Sequence, residues 1–168
     1  MVNVHEDQRV AVFVDVQNLY YSAKNLYDRK VNFTNLLQTA VHGRELTRAI
    51  AYAIQADTDD EGNFFEALRN IGFEVRTKEL KEFEGGAKKG DWDMGIAIDA
   101  VKMAEKMDTA VLITGDGDFV SLVNHLQASG VRVEAMAFGK STAHELKDAV
   151  NAFVDLDESS EKYLIDEG

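Results

Sequence analysis

Val10-Ala11-Val12-Phe13-Val14-Asp15 and Val111-Leu112-Ile113-Thr114-Gly115-Asp116-Gly117-Asp118 decide the fold: two short apolar runs, rich in β-branched residues, each closed by carboxylates. Runs this apolar read as strands buried on both faces, the pattern of a parallel sheet. In an open parallel sheet, ligands bind just outside the carboxyl ends of the strands. Acids gathered there repel one another, and a cation or a proton is needed to hold them together. The two stretches therefore point to an acidic metal site.

Working outward, apolar runs alternate with amphipathic helical patterns. Strands are expected over 9–15, 47–55, 73–79, 109–114, 131–137 and 152–156, although the alanines of 47–55 would also suit a helix. Helices are expected over 18–26, 33–40, 60–71, 91–107, 119–129 and 142–147, with Gly72 and Gly130 as stops. This alternation predicts an α/β fold: three layers, α/β/α, around a central parallel sheet of five or six strands, Rossmann-like in plan. The 168 residues read as one domain over 1–168, with its core in about 9–155 and an acidic tail, 156–168, that frays after Asp157.

Composition excludes several classes. The chain has no cysteine, which removes disulfides, thiolate zinc sites and a cysteine nucleophile. It has no apolar stretch near 18 residues and no secretory pattern at its start, so no membrane is expected and the cytoplasm is the expected compartment. A net charge of −12 argues against a general nucleic-acid coat. The charge is uneven, however. Residues 76–90 carry five basic and three acidic side chains, whereas 155–168 carry six acids and one lysine. The glycine-rich stretch 83–90, with Lys88 and Lys89, reads as a substrate-gripping loop.

Each acid has a plain structural alternative. Asp15, Asn18 and Asp118 sit where helix caps sit, and Asp91 reads as the cap of the helix that follows it. Asp93 then lies in the first turn, free to face a cleft. Asp99 falls about 9 Å and about 240° further along that helix, so it cannot share an ion with Asp93. It reads as a support behind the ligands or as a partner of Lys102. Phe138-Gly139-Lys140-Ser141-Thr142 mimics the end of a phosphate-binding loop, but the first glycine of that motif would fall at Glu134. The third glycine of a dinucleotide fingerprint starting at Gly115 would fall at Val120. The four histidines form no metal-ligand spacing, and no serine has a visible histidine partner. Of Tyr20 and Tyr21, one reads as core and the other as a surface for stacking on bases.

Taken together, Phe13-Val14-Asp15-Val16-Gln17-Asn18, Lys89-Gly90-Asp91-Trp92-Asp93 with Asp99 six residues on, and Thr114-Gly115-Asp116-Gly117-Asp118-Phe119 resemble the NYN domain. More narrowly they resemble its LabA-like bacterial branch, a relative of the PIN-domain ribonucleases. The resemblance spans about 9–155. It implies that the first and fourth strands are neighbours, so that Asp15 lies beside Asp116. It also implies a magnesium or manganese pocket made by Asp15, Asp93, Asp116 and Asp118, which would be both the metal ligands and the catalytic residues. Asn18 stands at its edge, Lys88 and Lys89 hold substrate phosphates, and Asp99 and Thr114 support the ligands. The implied activity is hydrolysis of RNA phosphodiesters through a two-metal site, with RNA as partner and room for a homodimer. The alternative is a non-catalytic regulatory or RNA-binding module that retains the acidic metal pocket. Relatives often carry Ser-Gly-Asp-Ser-Asp-Phe where this chain has Thr114 and Gly117, so a hydroxyl is missing at 117.

Overall fold

The computed structural model describes residues 5–55, 61–79, 81–82, 88–89 and 91–165. In chain order the elements are β1 (Arg9–Asp15), α1 (Val16–Tyr27), β2 (Lys30–Val31), α2 (Phe33–Val41), β3 (Glu45–Gln55), α3 (Glu61–Ile71), β4 (Glu74–Glu79), β5 (Lys81–Glu82), β6 (Lys88–Lys89) and α4 (Asp93–Lys102). There follow β7 (Thr109–Ile113), α5 (Val120–Ala128), β8 (Arg132–Ala137), α6 (His144–Ala149), β9 (Ala152–Asp155), α7 (Ser160–Tyr163) and β10 (Leu164–Ile165). Six strands form one sheet in the order β4-β3-β1-β7-β8-β9. Every pairing in it is parallel. The expected α/β sandwich is the observed one.

Alternation along β1 builds both layers. Val10, Val12 and Val14 face a core shared with Leu19 of α1, Leu36 of α2 and Leu68 of α3. Ala11 and Phe13 face the other core, with Ile96 of α4, Leu126 of α5 and Leu146 of α6. Because helices cover both sides, no strand position can be polar without cost, which explains the unbroken apolar run. The segment 47–55 is a strand despite its alanines. Ala49, Ala51 and Ala53 lie on the α1–α3 side, while Ile50 and Tyr52 point to the other. Burial on a pleated surface outweighs helix propensity here.

The strand order reverses direction at β1. The chain leaves β1 toward β3 and β4, then returns on the other side through β7, β8 and β9. The crevice between the carboxyl ends of β1 and β7 is therefore the switch point where such sheets bind ligands.

Two expectations are corrected. The helix read over 91–107 is shorter: α4 runs Asp93–Lys102, and a separate 3-10 turn, Ala104–Lys106, follows. From Asp157 as far as Ile165 the tail is not frayed. A 3-10 turn at Leu156–Ser159, α7 and β10 follow, and β10 pairs antiparallel with β2. Tyr163 and Leu164 are buried. The Tyr163 carbonyl accepts from the Asn32 amide at 2.8 Å, and its hydroxyl meets Thr39 Oγ1 at 3.0 Å. An apolar pair, Tyr163-Leu164, outweighs the surrounding acids because it has a core to enter. Among the described residues no helix is long and apolar enough to cross a membrane. Lys81–Glu82 pairs antiparallel with Lys88–Lys89. The glycines expected to form a gripping loop lie outside the described residues.

At the edge of the molecule opposite the switch point, Arg44 is 6% exposed and makes a two-pronged contact with Glu134, 2.9 Å on each prong. It also donates to the carbonyls of Ala40 and Val41. Burial works to raise the Glu134 pKa, but the hydrogen bonds from Arg44 and Arg132 prevail and hold it below the usual range. Removing one partner of a buried pair strands the other charge. Arg44→Met is therefore expected to lower unfolding stability by about 3 kcal/mol, measured by urea denaturation; a loss under about 1 kcal/mol would show that Arg132 alone compensates Glu134.

Candidate functional site

Asp15 is the last residue of β1 and the N-cap of α1. Its Oδ1 accepts from the Asn18 amide at 3.3 Å. The capping role is real, but it uses one oxygen. Oδ2 accepts from the Thr114 hydroxyl at 3.2 Å, across the β1–β7 pairing. Asn18 is not the cap; it sits within the first turn, and its Oδ1 accepts from the Gly115 amide at 2.9 Å. Thr114 Oγ1 accepts in turn from the Asp116 amide at 3.2 Å. These bonds stitch the start of α1 to the turn after β7, so both acidic segments move as one body.

Asp116 caps the 3-10 turn Gly117–Phe119, its Oδ1 accepting from the Asp118 amide at 2.9 Å. The third acidic segment reaches the site from α4. Trp92 precedes Asp93 and lies against Tyr52 of β3, ring centroids 5.3 Å apart, with its indole N–H donating to the Ala53 carbonyl at 2.9 Å. The Lys78 ammonium sits 4.4 Å over the indole and donates to the Asp91 carbonyl at 2.8 Å. Gly95 leaves room for this ring, because a Cβ there would meet Trp92 Cε3 at 2.5 Å. An indole, a lysine and a glycine thus fix where α4 begins.

The result brings three carboxylates together. One oxygen each from Asp93, Asp116 and Asp118 lies within 4.8 Å of the others. Asp93 and Asp116 are half-buried and Asp118 is exposed at the lip. Asp15 is not in this trio; it stands alongside, lining the same cavity of about 340 Å³ with Asp91, Asp93 and Asp116. Burial pushes the Asp15 carboxyl up to about 6 against its two hydrogen bonds, and the charges of Asp116 and Asp91 add to the effect. Asp93 is pushed up to about 7, first by burial and then by Asp116, Asp91 and Asp15. Holding a proton on Asp93 relieves the same repulsion that a cation would relieve better.

The remaining expectations fare differently. Asp99 is half-buried away from the trio, where Tyr52 donates to its Oδ2 at 2.8 Å and Arg76 approaches the same oxygen at 3.1 Å. Its partner is therefore Arg76 of β4 and not Lys102, a contact that helix spacing could not show. Burial and Asp99 both push the Tyr52 hydroxyl above its ordinary range. Neither tyrosine of the pair is core: Tyr20 is 46% exposed and Tyr21 51%. The side chains of Lys88 and Lys89 lie outside the described residues. Asp91 is not the cap expected of it: the N-cap of α4 is Trp92, which makes no side-chain capping bond, and Asp91 stands one residue before it. Its Oδ1 accepts from the Asp93 amide at 3.2 Å while it lines the cavity. Ser22 and Ser141 were not anticipated; they meet at 2.9 Å on the far wall. Ser141 lies in the rejected phosphate-loop mimic, which was the one available signal.

These shifts have a signed consequence. Folded pKa values above the unfolded ones mean that the native protein holds more protons between about pH 4 and pH 7, so its stability falls as pH rises through that interval. Metal-free protein is expected to melt at a lower temperature at pH 8 than at pH 5, with Asp15 contributing of order 2 kcal/mol. Asp93→Asn should flatten the profile. Manganese should raise the melting temperature strongly at pH 8 and little at pH 5, because binding displaces protons. A pH-independent metal response would contradict this assignment.

Comparison with known proteins agrees with the geometry. Low amplitude and bright protein LabA of Synechococcus elongatus is 31% identical over 162 residues, covering 89% of this chain and 84% of that protein. A crystal structure of a protein of unknown function from Vibrio parahaemolyticus has a TM-score of 0.88 at 32% identity, covering 98% of this chain and 100% of that one. The NYN domain pattern matches residues 9–157, and the chain belongs to the NYN domain family.

Proposed function

We propose that the protein is a metal-dependent ribonuclease. The observation that carries the reading is the convergence of Asp93, Asp116 and Asp118 within 4.8 Å at the switch point of an NYN chain, a PIN-like nuclease family. Capping does not account for it. Asp93 caps nothing, yet it is held against Asp116 at a cost visible in its raised pKa.

The donor set is all carboxylate, the chemistry preferred by magnesium and manganese over softer metals. Asp93, Asp116 and Asp118 would hold the ion, with Asp15 as the adjoining ligand. When bound, such an ion supplies an activated water and neutralises charge on the phosphodiester. The chain's own residues do the rest. Asp93, whose carboxyl is pushed up by burial and by Asp116, would give up its proton on binding the ion. Thr114 and Asn18 keep Asp15 and the Gly115–Asp118 turn in register. Asp118, exposed at the lip, faces the incoming strand. Lys88 and Lys89, whose side chains lie outside the described residues, would hold flanking phosphates as point charges.

A second reading is favoured by one observation. A Cβ at Gly117 would meet Glu145 Oε1 at 2.5 Å, so a carboxylate occupies space that a side chain at 117 would otherwise enter. A module that binds metal and RNA without turnover would tolerate this.

The decisive experiment incubates labelled single-stranded RNA with purified protein and manganese, comparing wild type with Asp116→Asn. Wild type is expected to cleave, the variant to lose at least about 100-fold in rate, and chelation to abolish cleavage. Metal-dependent stabilisation with no cleavage would favour the second reading; equal cleavage by both proteins would remove the site from the mechanism.

A further inference from the structure

The cavity beside the carboxylates has a second wall of different chemistry. One face of α1 supplies Gln17, Asn18, Tyr21, Ser22 and Asn25, and Ser141 closes it from the turn after β8. None of these carries a charge, although the chain has a net charge of −12 and the opposite wall is four aspartates. Tyr21 is half exposed, held on edge by Tyr20 with ring centroids 5.4 Å apart and an interplanar angle of 79°. Asn18 has its Oδ1 committed to the Gly115 amide, so what it offers the cavity is its Nδ2 donor.

An aromatic face with carboxamides and hydroxyls around it matches a nucleobase, which offers a π-face and an edge of donors and acceptors. Among the described residues the cavity lining holds no lysine or arginine, so this wall offers a phosphate no cation of its own. At about 340 Å³ the space is at the low end for a small-molecule site. That is room for one nucleoside. We infer that this wall of α1 is a base-binding pocket that takes one unpaired nucleotide of an RNA strand, stacked on Tyr21, and so sets its phosphate at the carboxylates. The inference deepens the nuclease reading and rests on it for the placement of the phosphate. A base must leave its helix to enter, so the pocket selects single-stranded RNA over duplex.

The test measures binding without cleavage. A fluorescent, fully 2′-O-methylated single-stranded hexanucleotide, the duplex of the same sequence and single nucleoside monophosphates are titrated in magnesium against wild type, Tyr21→Ala and Tyr21→Phe. Tyr21→Ala is expected to weaken single-strand binding roughly 5- to 150-fold and Tyr21→Phe by less than about twofold, since the ring rather than the hydroxyl carries stacking. Duplex should bind wild type more weakly than single strand. The manganese-induced thermal shift should be the same in all three proteins, which separates a lost base contact from a damaged fold or metal site. Unaltered binding by Tyr21→Ala, duplex bound as tightly as single strand, or no binding by wild type would overturn the inference. Monophosphates bound while the hexanucleotide is excluded would also overturn it, assigning the pocket to a free nucleotide. The two readings fail separately. Tyr21-dependent binding with no cleavage of unmodified RNA would remove the nuclease and leave the pocket, whereas equal cleavage by wild type and Tyr21→Ala would do the reverse.

Discussion

Repulsion among carboxylates at the carboxyl end of a parallel sheet is the constraint from which the rest of this molecule can be understood. Parallel pairing of β1 with β7 sets Val14 beside Ile113, so whatever follows each strand must share a crevice. Here Asp15 and the Thr114–Asp118 segment follow, and the approach to α4 and its first residue add Asp91 and Asp93. Left alone, such a set would push its elements apart. It is held by neutral donors, namely the hydroxyl of Thr114 and the amides of Asn18, Gly115 and Asp118, and by the packing of Trp92 on Tyr52. Rigid, well-packed layers behind the crevice make the strain at its mouth affordable.

How much of this was readable without coordinates depended on whether a feature was local. The strands β1 and β7 announced themselves because burial on both faces demands an unbroken apolar run, and the acids after them stood out for the same reason. Their meeting was implied by family resemblance rather than by any pattern within either segment. Asp91 was hidden because a lone aspartate before a helix is indistinguishable from a cap. Arg76 was hidden as the partner of Asp99 because it comes from β4, two strands away from β1 in the sheet. The exposure of both Tyr20 and Tyr21 defied helical spacing because α1 borders a cleft on one side, so its outward face is wider than that of a helix packed all round. Asp15 shows a subtler limit. It was expected among the direct ligands, and it does join the cavity, but hydrogen bonds to Asn18 and Thr114 occupy both of its oxygens.

The acidity of the chain also reads differently in three dimensions. Several carboxylates are matched inside the fold. Asp155 accepts from the amides of Gly139 and Asp157, and Asp157 accepts from the Lys140 amide and the Tyr27 hydroxyl. Glu134 has two arginines, and Asp108 accepts from the Arg9 backbone and guanidinium. At the crevice, by contrast, Asp15, Asp91, Asp93 and Asp116 line one cavity together. A strongly negative protein can therefore still present a specific place for an anionic polymer, provided a cation sits between them.

The short β2–β10 ribbon has a consequence for how the molecule is born. It joins residues 30–31 to residues 164–165, and Tyr163 beside it plugs the layer beneath α2. During synthesis, α1 and α2 emerge long before their fastener, so the side of α2 that meets Tyr163 stays uncovered until the end of the chain has left the ribosome. A chain shortened to end before residue 163 would keep every residue of the acidic crevice and lose the ribbon that closes the seam beside α2.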